Sequence, residues 1–363
     1  MNPSLLSLVF LHSLGFSQRA LCRIFETRDN YEEIYESLDL ATLQKLGFQS
    51  EKVNSLLSAK TKIDTVKIRD VLEKLEVRIV TKKDPDYPEL LLQAPVHPYF
   101  LYVRGTLPSH ANLISVVGSR KSTAYSRAVL EEIIPGLVDN GYGIVSGGAH
   151  GVDSLGHKIS LEHGGYTVAV FGTGIDRCYP KENKELFINI LKGGGALISA
   201  LPIGMGPEPY NFPIRNEIVA GISRGTLVTE AAIKSGTLIT AGLALDFGRD
   251  VFATPGDITK TTSNGTNALI RDGQAKLTTS AGDILGEYET TGFVQKEAPT
   301  VIPVLFDDAG EKNIYELLRV EPLDISSIED HLGEDITTIA FKLSMMEVRG
   351  IIEMGLDGRY GVK

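Results

Sequence analysis

The chain has 363 residues, 42% of them hydrophobic and 23% charged, with a net charge of −10, values that fit a soluble globular protein with room for two or three domains. Its apolar runs are too short to span a bilayer and no charged segment leads into the first of them, which excludes a membrane protein. Two distant cysteines, Cys22 and Cys178, have no metal-ligand spacing and fit reduced thiols in a cytoplasmic protein.

Residues 1–75 read as a small helical domain of the SAM or helix-hairpin-helix kind, with apolar spacing at Leu5, Leu8 and Val9, at Leu21, Ile24 and Phe25, and at Val53, Leu56 and Leu57. Turns are expected at Leu14-Gly15-Phe16 and Leu46-Gly47-Phe48. Residues 78–104 give two strands, Val77–Val80 and Phe100–Arg104, that extend a core running to residue 285, with a boundary at Pro108-Ser109. Within that core, short apolar runs (113–117, 143–146, 166–171 and 225–229) alternate with amphipathic segments such as Tyr125, Val129, Ile133 and Leu137. This alternation predicts an α/β, Rossmann-like parallel sheet covered on both faces.

Glycines crowd the ends of these runs: Gly118-Ser119-Arg120, Gly147-Gly148-Ala149-His150-Gly151, Gly172-Thr173-Gly174 and Lys234-Ser235-Gly236-Thr237. The first amides of a helix lack partners, the helix dipole makes that end positive, and glycine admits a phosphate closely. Arg120 and Lys234 flank two such turns, Arg120 suited to a bidentate phosphate contact and Lys234 to a point charge. Neither a dinucleotide fingerprint nor a P-loop is present. A loop with four prolines, Leu201–Pro213, delivers Arg215 and Asn216 to a helix start. Arg215 reads either as a third cation of the crevice or as a partner of Glu208 or Glu217, and Tyr210 and Phe212 either as base-stacking rings or as buried ones. His150 and His157 flank Asp153, where residues of a helix start are a better reading than a metal site; no metal, cofactor or catalytic residue is expected.

After a linker over 286–308, three helical patterns and a hairpin at Ile351–Val362 read as a winged-helix domain, 309–363. Charge is uneven: residues 1–110 carry 14 basic and 14 acidic side chains, 111–285 carry 15 and 16, and 286–363 carry 7 and 16. The acidity thus belongs to the tail, whose candidate recognition helix offers only Lys342 and Arg349.

The motifs Gly118-Ser119-Arg120, Ser146-Gly147-Gly148-Ala149-x-Gly151-Val152-Asp153, Tyr179-Pro180, Asn211-Phe212-Pro213-x-Arg215-Asn216, Ser235-Gly236-Thr237-Leu238-Ile239-Thr240, Val251-Phe252-Ala253-x-Pro255-Gly256 and Gly265-x-Asn267-x-Leu269-Ile270, in this order, resemble the DNA processing protein A family (DprA, also called Smf). One departure is Ala200, where the resemblance leads one to expect a glutamate. The resemblance implies a cytoplasmic, non-enzymatic homodimer that binds single-stranded DNA in natural transformation, brings RecA onto incoming strands and relieves blocking by single-strand binding protein. Carried over residue by residue, its DNA pocket falls on Gly118, Ser119, Arg120, Lys234, Ser235, Gly236 and Thr237, with Gly147, Gly148, Arg215, Asn216 and Asn267 beside them. A second reading, a nucleoside monophosphate phosphoribohydrolase of the lysine-decarboxylase-like (LOG) type or a nucleotide-binding sensor, rests on Gly225-Thr226-Leu227-Val228-Thr229-Glu230, which lacks the doubled glycine of that motif.

Overall fold

A computed structural model describes residues 2–26, 30–45, 48, 50–108, 112–289, 308–318, 323–349, 351–354 and 358–362. The expected turn at Leu46-Gly47, Ser109 and most of the expected linker (290–307) lie outside the described residues. The chain divides into two units, residues 1–292 and 293–363.

The first unit is built on one nine-stranded sheet. Its strands are β1 (Arg78–Thr81), β2 (Phe100–Gly105), β3 (Leu113–Val117), β4 (Gly143–Ser146), β5 (Thr167–Val170), β6 (Ala196–Ser199), β7 (Gly225–Val228), β8 (Asp250–Ala253) and β9 (Lys276–Leu277), in the order β1-β2-β6-β5-β4-β3-β7-β8-β9. All neighbours are parallel except β1 with β2 and β2 with β6. The apolar runs of the sequence are therefore strands of a Rossmann-like sheet, with β1 and β2 extending it antiparallel. Strands β3, β4, β5 and β7 are buried along their whole length, as expected where helices cover both faces. In β2, β5 and β6 alternation divides the side chains: Phe100, Tyr102, Ala169 and Leu197 enter one core, and Leu101, Val103, Val168, Val170 and Ile198 the other.

Among the described residues six helices precede the sheet, from Pro3–Ser13 to Thr65–Lys74. Side chains at their starts take up the free amides: Asn2 accepts from Ser4, Ser17 from Ala20, and Asp64 from Lys67. Their apolar faces share the core of β2, β5 and β6, and polar contacts fix the seam. Tyr31 and Tyr99 hydroxyls lie 2.9 Å apart, His12 Nδ1 is 3.0 Å from the Tyr102 hydroxyl, and Gln18 donates to the Ala200 carbonyl at 3.1 Å. Ala200 is itself buried, so the position where a glutamate was expected lies in this seam and not in open solvent.

The helix Ala281–Glu289 runs through the expected core boundary at residue 285. Its Tyr288 is buried, stacks on Tyr142 with ring centroids 6.0 Å apart, and carries the Arg224 guanidinium 4.3 Å above its ring. The second unit contains helices Ala309–Leu318, Ile325–Leu332 and Ile336–Val348, then β10 (Ile352–Met354) paired antiparallel with β11 (Tyr360–Val362). The expected Asp357 of the hairpin turn lies outside the described residues, and Gly358 has φ +80°, the left-handed geometry such a turn favours.

Two buried histidines give the first unit an acid-sensitive core. Burial lowers both His12 and His157 to about 3. His157 Nδ1 meets the Thr167 hydroxyl at 2.7 Å, while its Nε2 has no hydrogen-bond partner among the described residues. As pH falls from 6.5 towards 3 the unfolded chain takes up a proton at each ring that the folded chain refuses. Stability is thus lost with falling pH in that window, by about 1.4 kcal/mol per pH unit for each histidine. Urea titrations at pH 7 and pH 5 should show this loss, and a His12→Phe variant should show roughly half of it.

Candidate functional site

The parallel strands reverse direction of build-up between β3 and β7, and the crevice beyond their C-terminal ends is where such sheets leave room for a ligand. Here it is a cleft of about 650 Å³. Gly118, Ser119 and Arg120 line it from the end of β3, Gly147 from β4, and Ser235, Gly236 and Thr237 from the start of the helix Gly236–Asp246. Arg215 and Asn216 face it from the helix Asn211–Gly221. Nine of the twelve candidate residues therefore line one cleft.

The turns pack so closely that only glycine fits at several places. A Cβ on Gly151, at φ +78°, would fall 2.2 Å from the Ser119 carbonyl oxygen, and one on Gly118 would lie 2.7 Å from Val152. The Val152 N–H donates to that Ser119 carbonyl at 3.1 Å, and Asp153 accepts from Ala149 N–H at 3.3 Å. Two of the first amides of the helix Val152–Glu162 are thus taken by the chain itself, Val152 N–H by Ser119 and Ser154 N–H by Ala149 at 3.1 Å. Across the cleft, Ser235 caps Thr237 N–H at 3.2 Å and the Thr237 hydroxyl donates to the Gly118 carbonyl at 3.0 Å, tying the two cation-flanked turns together.

Arg120 is exposed and makes no ion pair among the described residues. Its guanidinium lies 5.5 Å from the centre of the Phe212 ring, and that of Arg215 lies 5.8 Å from the same centre. Two cations thus share one aromatic ring, an arrangement held by cation–π attraction. Arg215 is 7% exposed and pairs with Asp153 at 3.7 Å, so its carboxylate partner is neither Glu208 nor Glu217. Burial raises the Asp153 carboxyl and lowers the Arg215 guanidinium, each opposed by its partner's charge. Nε of Arg215 has no hydrogen-bond partner among the described residues. Gly147 makes room for this guanidinium: a Cβ there would fall 1.1 Å from Nη1.

Three candidates stand apart from the cleft lining. Gly148, at φ +63°, is buried against Phe187, and its carbonyl accepts from Asn183 at 2.9 Å. Asn267 bonds both main-chain groups of Gly256, at 3.0 and 2.9 Å, and so pins the Pro255-Gly256 turn. Lys234 is exposed beside the Ser235 turn and outside the lining. Sequence reasoning missed Asp153, Thr240 and Thr262 as cleft residues. Asp153 was visible as a carboxylate at a helix start, but nothing local named Arg215 as its partner.

The proline-rich loop is tied down. Gly174 N–H donates to the Met205 carbonyl at 2.9 Å, Gly204 N–H to Asp176 at 2.8 Å, and Asn211 Nδ2 to the Gly206 carbonyl at 3.0 Å. Phe212 ends up between the two arginines and Tyr210 stays 64% exposed. Glu230, the acid that a phosphoribohydrolase reading needs, is 2% exposed and accepts from the Thr123 hydroxyl at 2.9 Å, where it holds the start of the helix Ala124–Asp139. No group of three or more metal-ligating side chains occurs among the described residues. His150 instead faces Glu182 at 3.6 Å, and no helix among them is long and apolar enough to cross a membrane.

Comparison with known proteins agrees with this fold. Protein Smf of Escherichia coli is 32% identical over 329 residues, covering 87% of this chain and 85% of its own. The X-ray structure of DNA processing protein A from Streptococcus pneumoniae superposes with a TM-score of 0.67 at 33% identity, over 77% of this chain and 96% of that one. The structure of DNA processing protein A from Helicobacter pylori, described for its single-stranded DNA binding mode, gives 0.52 at 25% identity, over 59% and 97%. The family model for DNA recombination-mediator protein A matches residues 78–289, from β1 through the helix that carries Tyr288. On these grounds the chain belongs to the DNA recombination-mediator protein A (DprA/Smf) family.

Proposed function

We propose that this protein binds single-stranded DNA without regard to sequence, in the cleft beyond β3 and β7. The observation that carries the reading is Arg120: an exposed guanidinium, in no ion pair among the described residues, near an aromatic ring at a glycine turn. Such a group offers what every strand can use, a phosphate contact beside a flat apolar surface. Ser235, Gly236 and Asn216 extend the same lining, Lys234 stands exposed just outside it, and Thr237, Arg215 and Gly147 hold the cleft in shape. The Helicobacter pylori relative was described for binding single-stranded DNA. By family membership we extend the proposal to a cytoplasmic homodimer that loads RecA onto incoming strands against single-strand binding protein. Titration of labelled oligothymidine and a duplex of equal length at several salt concentrations tests the core of it. Tighter binding to the single strand, weakening linearly with the logarithm of salt, is expected; equal or tighter duplex binding overturns it.

The protein is read as a binding module and not an enzyme, because Glu230 is buried and engaged with Thr123. Purified protein is expected to release no base from nucleoside monophosphates. The second unit we read as a winged helix that does not hold DNA. Lys342 is paired with Glu334 at 2.9 Å and Asp308 at 3.6 Å, and Arg349 with Glu311. A chain ending at residue 289 keeps Tyr288 in its core and should bind oligothymidine at least as tightly as full length. Near-complete loss of binding in that folded core would show that the tail carries the contact.

A further inference from the structure

The outer edge of the sheet carries a second candidate site. β1 pairs with β2 on one side and ends the sheet on the other. Lys82 N–H donates to the Tyr99 carbonyl at 2.8 Å, so by antiparallel alternation the main-chain groups of Arg78, Val80 and Lys82 face β2 and those of Val77, Ile79 and Thr81 face outward. The chain closes both ends of this row itself. Val77 N–H donates to the Leu72 carbonyl at 2.8 Å, Thr81 N–H to the Asp84 carboxylate at 2.7 Å, and Asp84 N–H to the Thr81 carbonyl at 2.9 Å. Ile79 keeps its N–H and carbonyl open, with no partner among the described residues.

A groove of about 620 Å³ runs along this edge. Leu5, Leu72, Val77 and Ile79 line it, the last three buried so that they show it only small apolar areas, and Glu73, Glu76, Asp84 and Asp86 stand around it. The one cation in the lining, Arg78, is paired with Asp86 at 3.1 Å. An open strand edge gives main-chain affinity, and the side-chain surroundings then choose the partner. Here they choose aliphatic side chains on one face and positive charge at the rim. Nucleic acid and acidic tails are repelled, and a second copy would bring four more carboxylates against these four.

We propose that this edge binds a short, extended, basic segment of a partner protein, which adds a strand at Ile79 with lysine or arginine side chains among the four carboxylates. The proposal does not depend on the DNA cleft. Fluorescein-labelled Lys-Val-Lys-Val-Lys-Val, titrated by anisotropy against the full chain at low salt, is the probe. Saturable binding is expected, with none by the matching Glu-Val repeat. N-methylation of every second peptide amide, which removes strand hydrogen bonding, should weaken it by roughly 10-fold or more. The Glu73→Gln/Glu76→Gln variant should weaken it comparably and leave oligothymidine binding unchanged. Equal binding by the N-methylated peptide would reduce the effect to diffuse charge and overturn the proposal, as would absence of binding. Self-association of the chain that Ile79→Pro abolishes would overturn it in favour of edge-to-edge pairing of two copies.

Discussion

Arg120→Ala is expected to weaken oligothymidine binding by roughly 10- to 150-fold, which corresponds to about 1.5–3 kcal/mol for a hydrogen bond to a charged group. The size follows from what the side chain lacks and what it touches. Arg120 is in no ion pair among the described residues, Asp153 being engaged by Arg215, and the guanidinium rests near the Phe212 ring in the cleft lining. The dependence of the logarithm of affinity on that of salt should become shallower by about 0.7 if one phosphate contact is lost. Arg120→Lys should fall between the two proteins, because it keeps the charge and loses the flat surface that lies on the ring and grips two phosphate oxygens. Melting should hardly change, since Arg120 is exposed. Wild-type affinity and salt dependence in Arg120→Ala would remove the residue from the site and with it the observation on which the functional reading stands.

Arg215→Ala is expected to act on the fold first, lowering stability by about 3–5 kcal/mol, because it leaves the Asp153 charge buried without its partner. The pair itself is a weak support: burial pushes both groups towards their neutral forms against a mutual attraction at 3.7 Å. Replacing both with apolar residues, Arg215→Met with Asp153→Leu, should therefore recover most of the loss. Gly147→Ala should resemble Arg215→Ala, because its methyl group would occupy the position of Nη1 and drive the guanidinium out of its seat. Chemical denaturation of the three variants checks this. If Gly147→Ala matches wild type in stability, the guanidinium moves freely and the glycine has another role.

The strands β3, β4 and β5 were legible because each is a short, mostly apolar run followed by glycine, β7 because its run leads through Glu230-Ala231-Ala232 to the Lys234–Thr237 turn, and β1 and β2 because prolines and turn residues bracket them. Ala196–Ser199 is buried along its whole length and Asp250–Ala253 from Val251 onward, yet in the sequence neither was singled out as a strand of the alternating pattern. The cation-flanked turns were legible as chemistry, since a phosphate site needs glycine and positive charge together. What was hidden were long-range partners. Asp153 for Arg215, Thr123 for Glu230 and Gly256 for Asn267 are set by tertiary contact, and each changes what a polar residue near the cleft is free to do. Phe212 shows the same limit: it was open to base stacking or burial, and the structure makes it half-buried with two arginines at its ring.

The pinned proline-rich loop has a consequence for time. A loop held by Gly174, Asp176 and Asn211 is in place before the DNA of our proposal arrives, so on that reading association should proceed in a single phase whose rate rises linearly with DNA concentration and does not level off. Without a conformational step to mask it, electrostatic steering should set that rate, and added salt should slow arrival. Stopped-flow traces that plateau at high DNA concentration would reveal a gate that this loop does not possess.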